Sequence, residues 1–292
     1  MMKTTEKRMS FPVRFGTGLS KNSKQFNVKW LMGCFMVFLF CFPGCSKGQT
    51  DQTGKTFVLV HGAWQSAYVW SAIKASLEKK GNKVTVVELP AHGADNTPAA
   101  SVSINSYRDK IISTIGNLTG KVILVGHSMG GVVVSAVAEK IPERIEKLVF
   151  IGAFVPQDGQ SLLDLAFQDK NSLLGPNLIP SADQLTLDVN KDKLTDIFCQ
   201  DASESIKKLV TTNYKPEPAI PFADKIKLSA AAFGSVNKYY VFTSKDQAIS
   251  LELQKQMANA ASITKTYTVD TGHSPFLSMP EKVSEIFIDI AK

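Results

Sequence analysis

Cysteine is scarce in this 292-residue chain: four are present, and Cys34, Cys41 and Cys45 all fall in its first 45 residues. Cys199 alone is left to the body, so no disulfide framework is available there, and a lone cysteine reads as a small buried apolar residue. The four histidines show no H-E-x-x-H spacing and the cysteines no C-x-x-C pair, so no metal is expected. No G-x-G-x-x-G follows a strand and no G-x-x-x-x-G-K-[ST] occurs, so no nucleotide cofactor is expected either. The longest apolar run of the N-terminal region, Leu31 to Phe42, has 12 residues, too few for a comfortable bilayer span. An excess of one charge is also missing once the chain is divided. Residues 1–44 hold seven of the 33 Lys and Arg and one of the 26 acids, which leaves 26 bases against 25 acids afterwards. The formal charge of +7 therefore gives the body no footprint for nucleic acid.

What the first 44 residues do have is the anatomy of a secretion signal: a basic stretch, the short apolar run, then small residues. Gly44-Cys45 at its end resembles the lipobox of bacterial lipoproteins, with Phe42 and Pro43 where that box usually carries Leu and a small residue. Residues 1–44 are thus expected to be a leader. Cys45 is the expected lipid acceptor and membrane attachment, and residues 45–55 a polar tether. The alternative is ordinary cleavage, giving a secreted or periplasmic soluble protein.

From Thr56 the pattern alternates. Phe57–Val60 reads as a strand, Val69–Lys80 as a helix with Val69, Ile73 and Leu77 on one face, Val84–Leu89 as a strand and Ile104–Leu118 as a helix. Val122–Val125 is a short buried strand that runs into Gly126-His127-Ser128-Met129-Gly130 and then an apolar helix. Strands alternating with amphipathic helices predict an α/β fold with a mostly parallel sheet covered on both faces. The order breaks at Val155-Pro156 and resumes at Tyr239, so the core is expected over 56–156 and 238–292. An insertion, mostly helical and acting as a cap, is expected over 157–237.

G-x-S-x-G between a strand and a helix is a nucleophile turn: side chains at 126 and 130 would clash, and the serine is held clear beside a helix N-terminus. A serine hydroxyl needs a base that is itself oriented by an acid. Of the histidines, His127 reads as packing, His61 as a loop holder and His92 as a surface loop residue. His273 follows the last strand in Thr271-Gly272-His273 and is the expected base. Asp246, in the loop after Tyr239–Thr243, gives the chain order Ser, Asp, His that this fold uses. Asp270 reads as a local hydrogen-bonding residue, and Asp201 and Asp224 as solvated. The backbone N–H groups of Met129 and Ala63 are placed to serve as oxyanion donors. Trp64, Tyr68, Phe154 and Phe167 are the expected pocket lining.

The stretches FVLVHGAW with Trp70, LVGHSMGG, LVFIGAFVP, TSKDQAI and GHSPFLSMPEKV together resemble the α/β-hydrolases, in the branch of plant methyl-ester esterases, hydroxynitrile lyases and their bacterial relatives. The resemblance implies Ser128 as nucleophile, Asp246 as acid, His273 as base, Ala63 and Met129 as oxyanion donors, and a helical cap over the pocket. The lyase branch usually carries a lysine after its histidine; Ser274 stands there, which speaks for ester hydrolysis. The expected activity is a serine esterase acting on a small-molecule ester without a cofactor. The rivals are a non-catalytic small-molecule binding protein on the same fold, and cyanohydrin cleavage.

Overall fold

Phe57 and Leu59 face one side of a sheet and Val58 and Val60 the other, and all four are fully buried. This is the period-two alternation of a strand with apolar cover on both faces, which is why the run reads as continuously hydrophobic. The computed structural model describes residues 54–292. The expected leader, Cys45 as lipid acceptor and residues 45–53 of the expected tether lie outside the described residues.

In chain order the core begins with β1 (Thr56–Val60), α1 (Ser71–Lys79), β2 (Lys83–Val87), α2 (Ile104–Gly116), β3 (Val122–Ser128), α3 (Gly130–Lys140) and β4 (Ile145–Ala153). The insertion follows with α4 (Leu162–Ala166), β5 (Leu178–Pro180), β6 (Thr186–Val189), α5 (Leu194–Phe198), α6 (Glu204–Asn213), β7 (Glu217–Pro218) and α7 (Ile220–Ala223). The core then resumes with β8 (Lys238–Thr243), α8 (Leu251–Ala260), β9 (Lys265–Val269), α9 (Pro275–Ser278) and α10 (Pro280–Ala291). Six strands form one sheet in the order β2-β1-β3-β4-β8-β9, and every pairing is parallel. Side chains of α1, α9 and α10, among them Ile73, Phe276 and Phe287, pack with Phe57 and Leu59 on one face. Side chains of α2, α3 and α8, among them Tyr107, Val133 and Met257, pack with Val58 and Val60 on the other. No helix among the described residues is long and apolar enough to cross a membrane.

β2 lies on one side of β1 and β3 on the other. The connections after β1 and β3 therefore leave toward opposite faces and open a crevice beyond the C-terminal ends of the two strands, where open α/β sheets hold ligands.

Besides the helices α4 to α7 the insertion carries a small sheet that the sequence reading did not include. β5, β6 and β7 form a three-stranded antiparallel sheet. Its strands are three, four and two residues long and two of them carry a proline, so no alternation is long enough to register as a strand. Cys199 sits in a small satellite cluster with Ala202 and Val210, and burial pushes its thiol up to about 11.

Candidate active site

β3 ends at Ser128 and α3 starts at Gly130, so Met129 alone makes the connection. Ser128 has φ of +54°, the left-handed conformation that costs a non-glycine residue roughly 1–3 kcal/mol and marks functional turns. The glycines keep this turn tight. A Cβ at 126 would lie 2.7 Å from the carbonyl oxygen of Gly130, and one at 130 would lie 2.7 Å from that of His61. The closest approach is at Gly131, where a Cβ would lie 2.3 Å from the Phe154 carbonyl oxygen. Gly131→Ala is expected to cost roughly 1–3 kcal/mol by overpacking, seen as a lower urea midpoint with an unchanged slope. An unaltered midpoint would show that α3 can slide off the β4 exit at no cost.

The loop after β1 presses on this turn: a Cβ at Gly62 would lie 2.7 Å from Cβ of Ser128 and 3.0 Å from Nδ1 of His127. His61 shapes the loop, donating from Nδ1 to the Gly62 carbonyl at 2.8 Å and accepting the Leu89 N–H at Nε2 at 3.2 Å. Burial lowers its pKa, so this single-proton arrangement is the stable one.

His273 and Asp246 come from the loops after β9 and β8. Nδ1 of His273 lies 2.8 Å from Oδ2 and 3.0 Å from Oδ1 of Asp246, with both side chains buried. Asp246 is fixed in turn: Oδ1 accepts the N–H groups of Ala248 at 2.8 Å and Ile249 at 2.9 Å, and Oδ2 accepts the Thr243 hydroxyl at 2.8 Å. His127 does more than pack. It donates from Nε2 to the His273 carbonyl at 2.9 Å, and the two rings lie 4.5 Å apart, which ties the residue before Ser128 to the His273 loop. Burial holds the His127 pKa well below the histidine value, so it stays neutral and keeps that donor. Among the described residues neither the Ser128 hydroxyl nor Nε2 of His273 hydrogen-bonds to the other or to a third group. Such nucleophile–base bonds commonly tighten only with substrate bound.

Ser128, Met129 and Ala63 open onto a narrow, mainly apolar cavity. Trp64 and Phe154 line it as expected, with Leu162, Leu174, Leu178 and Phe222 supplying much of the remaining wall. Tyr68 and Phe167 do not. Tyr68 packs against the cluster on the opposite sheet face and its hydroxyl donates to Gln65. Phe167, at the C-terminal end of α4, is 73% exposed and turned outward. Apart from Ser128, the polar side chains of the lining are Asp169 and Ser172, and both are committed. Asp169 accepts the Ser250 N–H at 2.7 Å, and Ser172 donates to the Ala248 carbonyl at 2.8 Å.

A family model described as the alpha/beta hydrolase family matches residues 57–286. The chain belongs to this family. Within it, the chain is similar to an alpha-hydroxynitrile lyase of Arabidopsis thaliana, at 30% identity over 80% of this chain and 96% of that one. It is similar to methylesterase 7 of the same plant, at 29% identity over 81% of this chain and 96% of that one. The crystal structure of polyneuridine aldehyde esterase superposes with a TM-score of 0.73 at 25% identity, covering 82% of this chain and all of that one. Two longer chloroplastic relatives are 32% and 30% identical, and the chain spans 64% and 56% of their length.

Four further side chains named in the sequence have defined places in this α/β-hydrolase fold. Asp201 accepts the Gly272 N–H at 2.9 Å beside His273, and Asp224 accepts the Ile104 N–H at 2.8 Å at the start of α2; neither is merely solvated. Asp270 is the local residue it was expected to be, bonded to Ser244 and Lys245 at the surface, and those bonds lower its pKa. His92 corrects the surface reading, for it is buried against Glu217, which is itself fully buried.

Proposed function

We propose that the chain is a serine esterase that hydrolyses small, mainly apolar carboxylic esters through an acyl-enzyme. The observation that carries this reading is the buried His273–Asp246 pair at the same sheet edge as a serine in a left-handed turn, beside an apolar cavity. Ser128 Oγ attacks the ester carbonyl while Nε2 of His273 takes its proton. The tetrahedral oxyanion is held by the N–H groups of Ala63 and Met129. Collapse expels the alcohol, which leaves with the proton from His273. Water then attacks the acyl-serine, giving its proton to His273, and the carboxylic acid departs with Ser128 restored. Asp246 keeps the Nδ1 proton in place and steadies the imidazolium throughout.

The names of methylesterase 7 and polyneuridine aldehyde esterase support hydrolysis. The alpha-hydroxynitrile lyase relative keeps carbon–carbon cleavage as the rival. A departing cyanide needs a cation; Ser274 follows His273, and no Lys or Arg is among the cavity-lining residues. The same composition favours neutral esters over substrates that carry a free carboxylate.

Labelling with a fluorophosphonate followed by a panel of methyl, acetyl and longer acyl esters tests the reading. The expected result is one label per chain on the Ser128 peptide and turnover of the shorter apolar esters. Ligand binding with neither label nor turnover would leave a binding protein; cyanide release from a cyanohydrin would leave a lyase. The leader reading adds that the esterase is exported and lipid-anchored through Cys45, for which mass spectrometry of the mature N-terminus is expected to find diacylglyceryl on that cysteine.

A further inference from the structure

Trp64, the residue after Ala63, has φ of +61°, a region that a bulky side chain enters only under restraint. The restraint comes from the insertion. The Trp64 N–H donates to Oε2 of Glu217 at 2.9 Å, its carbonyl accepts the Lys215 N–H at 3.1 Å, and its indole N–H donates to the Leu187 carbonyl at 2.8 Å. Of these three, only the first depends on a side chain outside Trp64, and so can be removed by substitution without altering Trp64 itself.

Glu217 is fully buried on β7. Besides Trp64 N–H, its carboxylate accepts the Tyr107 hydroxyl at 3.1 Å and Nε2–H of His92 at 2.7 Å. Nδ1 of His92 faces the Pro90 carbonyl at 2.9 Å. Both ring nitrogens therefore point at acceptors, and the imidazolium, with two protons, is the form that satisfies them. Burial opposes that charge, and the facing Glu217 carboxylate outweighs it, so the His92 pKa is raised. The other titratable groups around His92 are Glu88, Tyr107 on α2 with its ring 5.6 Å away, and His61 with its ring 4.8 Å away. A buried ion pair is weak as a source of stability compared with apolar packing, which directs attention to what the pair holds in place.

We propose that Glu217 is a positioning residue for the oxyanion hole. Through the Trp64 N–H it fixes the backbone that aims the Ala63 N–H at the substrate carbonyl oxygen, and His92 and Tyr107 lock the carboxylate in that pose. The proposal rests on the esterase reading and on Ala63 as a donor.

Losing an oxyanion donor lowers kcat by about 10²–10³-fold, and a loosened donor is expected near the lower bound. Glu217→Ala is expected to lower kcat by about 10²-fold with KM within about threefold, active sites being counted by fluorophosphonate titration. The inhibition constant of a boronic acid that forms a tetrahedral adduct on Ser128 is expected to rise in step with that loss. Glu217→Gln keeps an acceptor for Trp64 N–H and removes the charge, so a fall of about tenfold is expected, placed between wild type and the donor-loss range. Nitrogen NMR is expected to find His92 titrating above about 6.5 in the wild type and below it in Glu217→Gln. Kcat per active site within about twofold of wild type in either folded variant, or His92 titrating at or below the ordinary value in the wild type, would overturn the proposal. Turnover surviving Ser128→Ala would instead overturn the esterase reading beneath it.

Discussion

Ser128→Ala is expected to lower ester turnover by about 10⁶-fold, as removal of the nucleophile does in serine hydrolases whose triad acts as a unit, and to abolish fluorophosphonate labelling. The variant is expected to fold. Ser128 holds φ of +54° whichever short side chain it carries, and its hydroxyl makes no hydrogen bond whose loss would leave a buried partner unsatisfied. A melting temperature at or above wild type beside lost activity would assign the loss to chemistry. Residual kcat within about tenfold of wild type would mean that another group, or water activated directly by His273, performs the displacement. The acyl-enzyme would then have to be abandoned while the fold and the cavity stand.

Asp246→Asn is expected to lower kcat by about 10⁴-fold, by the tautomer argument. The reason is local. Oδ1 accepts the Ala248 and Ile249 N–H groups, so the amide of an asparagine would turn its oxygen to them and its nitrogen toward His273, where Oδ2 now lies 2.8 Å from Nδ1. Two donors cannot face each other. His273 would carry its proton on Nε2 instead and could no longer accept from Ser128. Slow phosphonylation together with slow turnover, in a protein of native stability, is the expected pattern. Loss of stability with normal kcat per active site would reduce Asp246 to a brace for the 243–249 turn.

Ser128, Asp246 and His273 could be picked out as candidates because each stands in a short local pattern whose steric demands can be read without neighbours: glycines around Ser128, a glycine before His273, an acid just after a strand. Glu217 had no such pattern. It lies in Lys215-Pro216-Glu217-Pro218, which reads as a connection, and the donors that surround it come from residues 64, 92 and 107. His92 was misread for the same reason, since a loop histidine is buried or exposed according to what the fold brings over it. Two of the four aromatic expectations, Tyr68 and Phe167, failed on direction. Trp64 and Phe154 sit on loops that leave the C-terminal sheet edge and reach the cavity, whereas Tyr68 has already turned toward α1 and Phe167 caps α4 with its ring outward. The parallel sheet was readable from strand composition; the strands β5 to β7 were too short to leave a periodic trace.

The ties between the insertion and Trp64 also limit how a guest molecule travels. Lys215 adds to them by donating from Nζ to the Gly93 and Asp95 carbonyls at 3.1 Å. Swinging the insertion away as one piece would break these bonds and release the Ala63 loop with it, leaving the serine exposed and its machinery slack. The 162–178 stretch holds the opposite wall through Leu162, Leu174 and Leu178, and it is anchored to the core in turn, Ser172 to Ala248, Leu173 to Gln247, Asp169 to Ser250 and Asn171 to Glu252. Both walls of the cavity are therefore tied to the body of the fold, and freeing either one costs several hydrogen bonds.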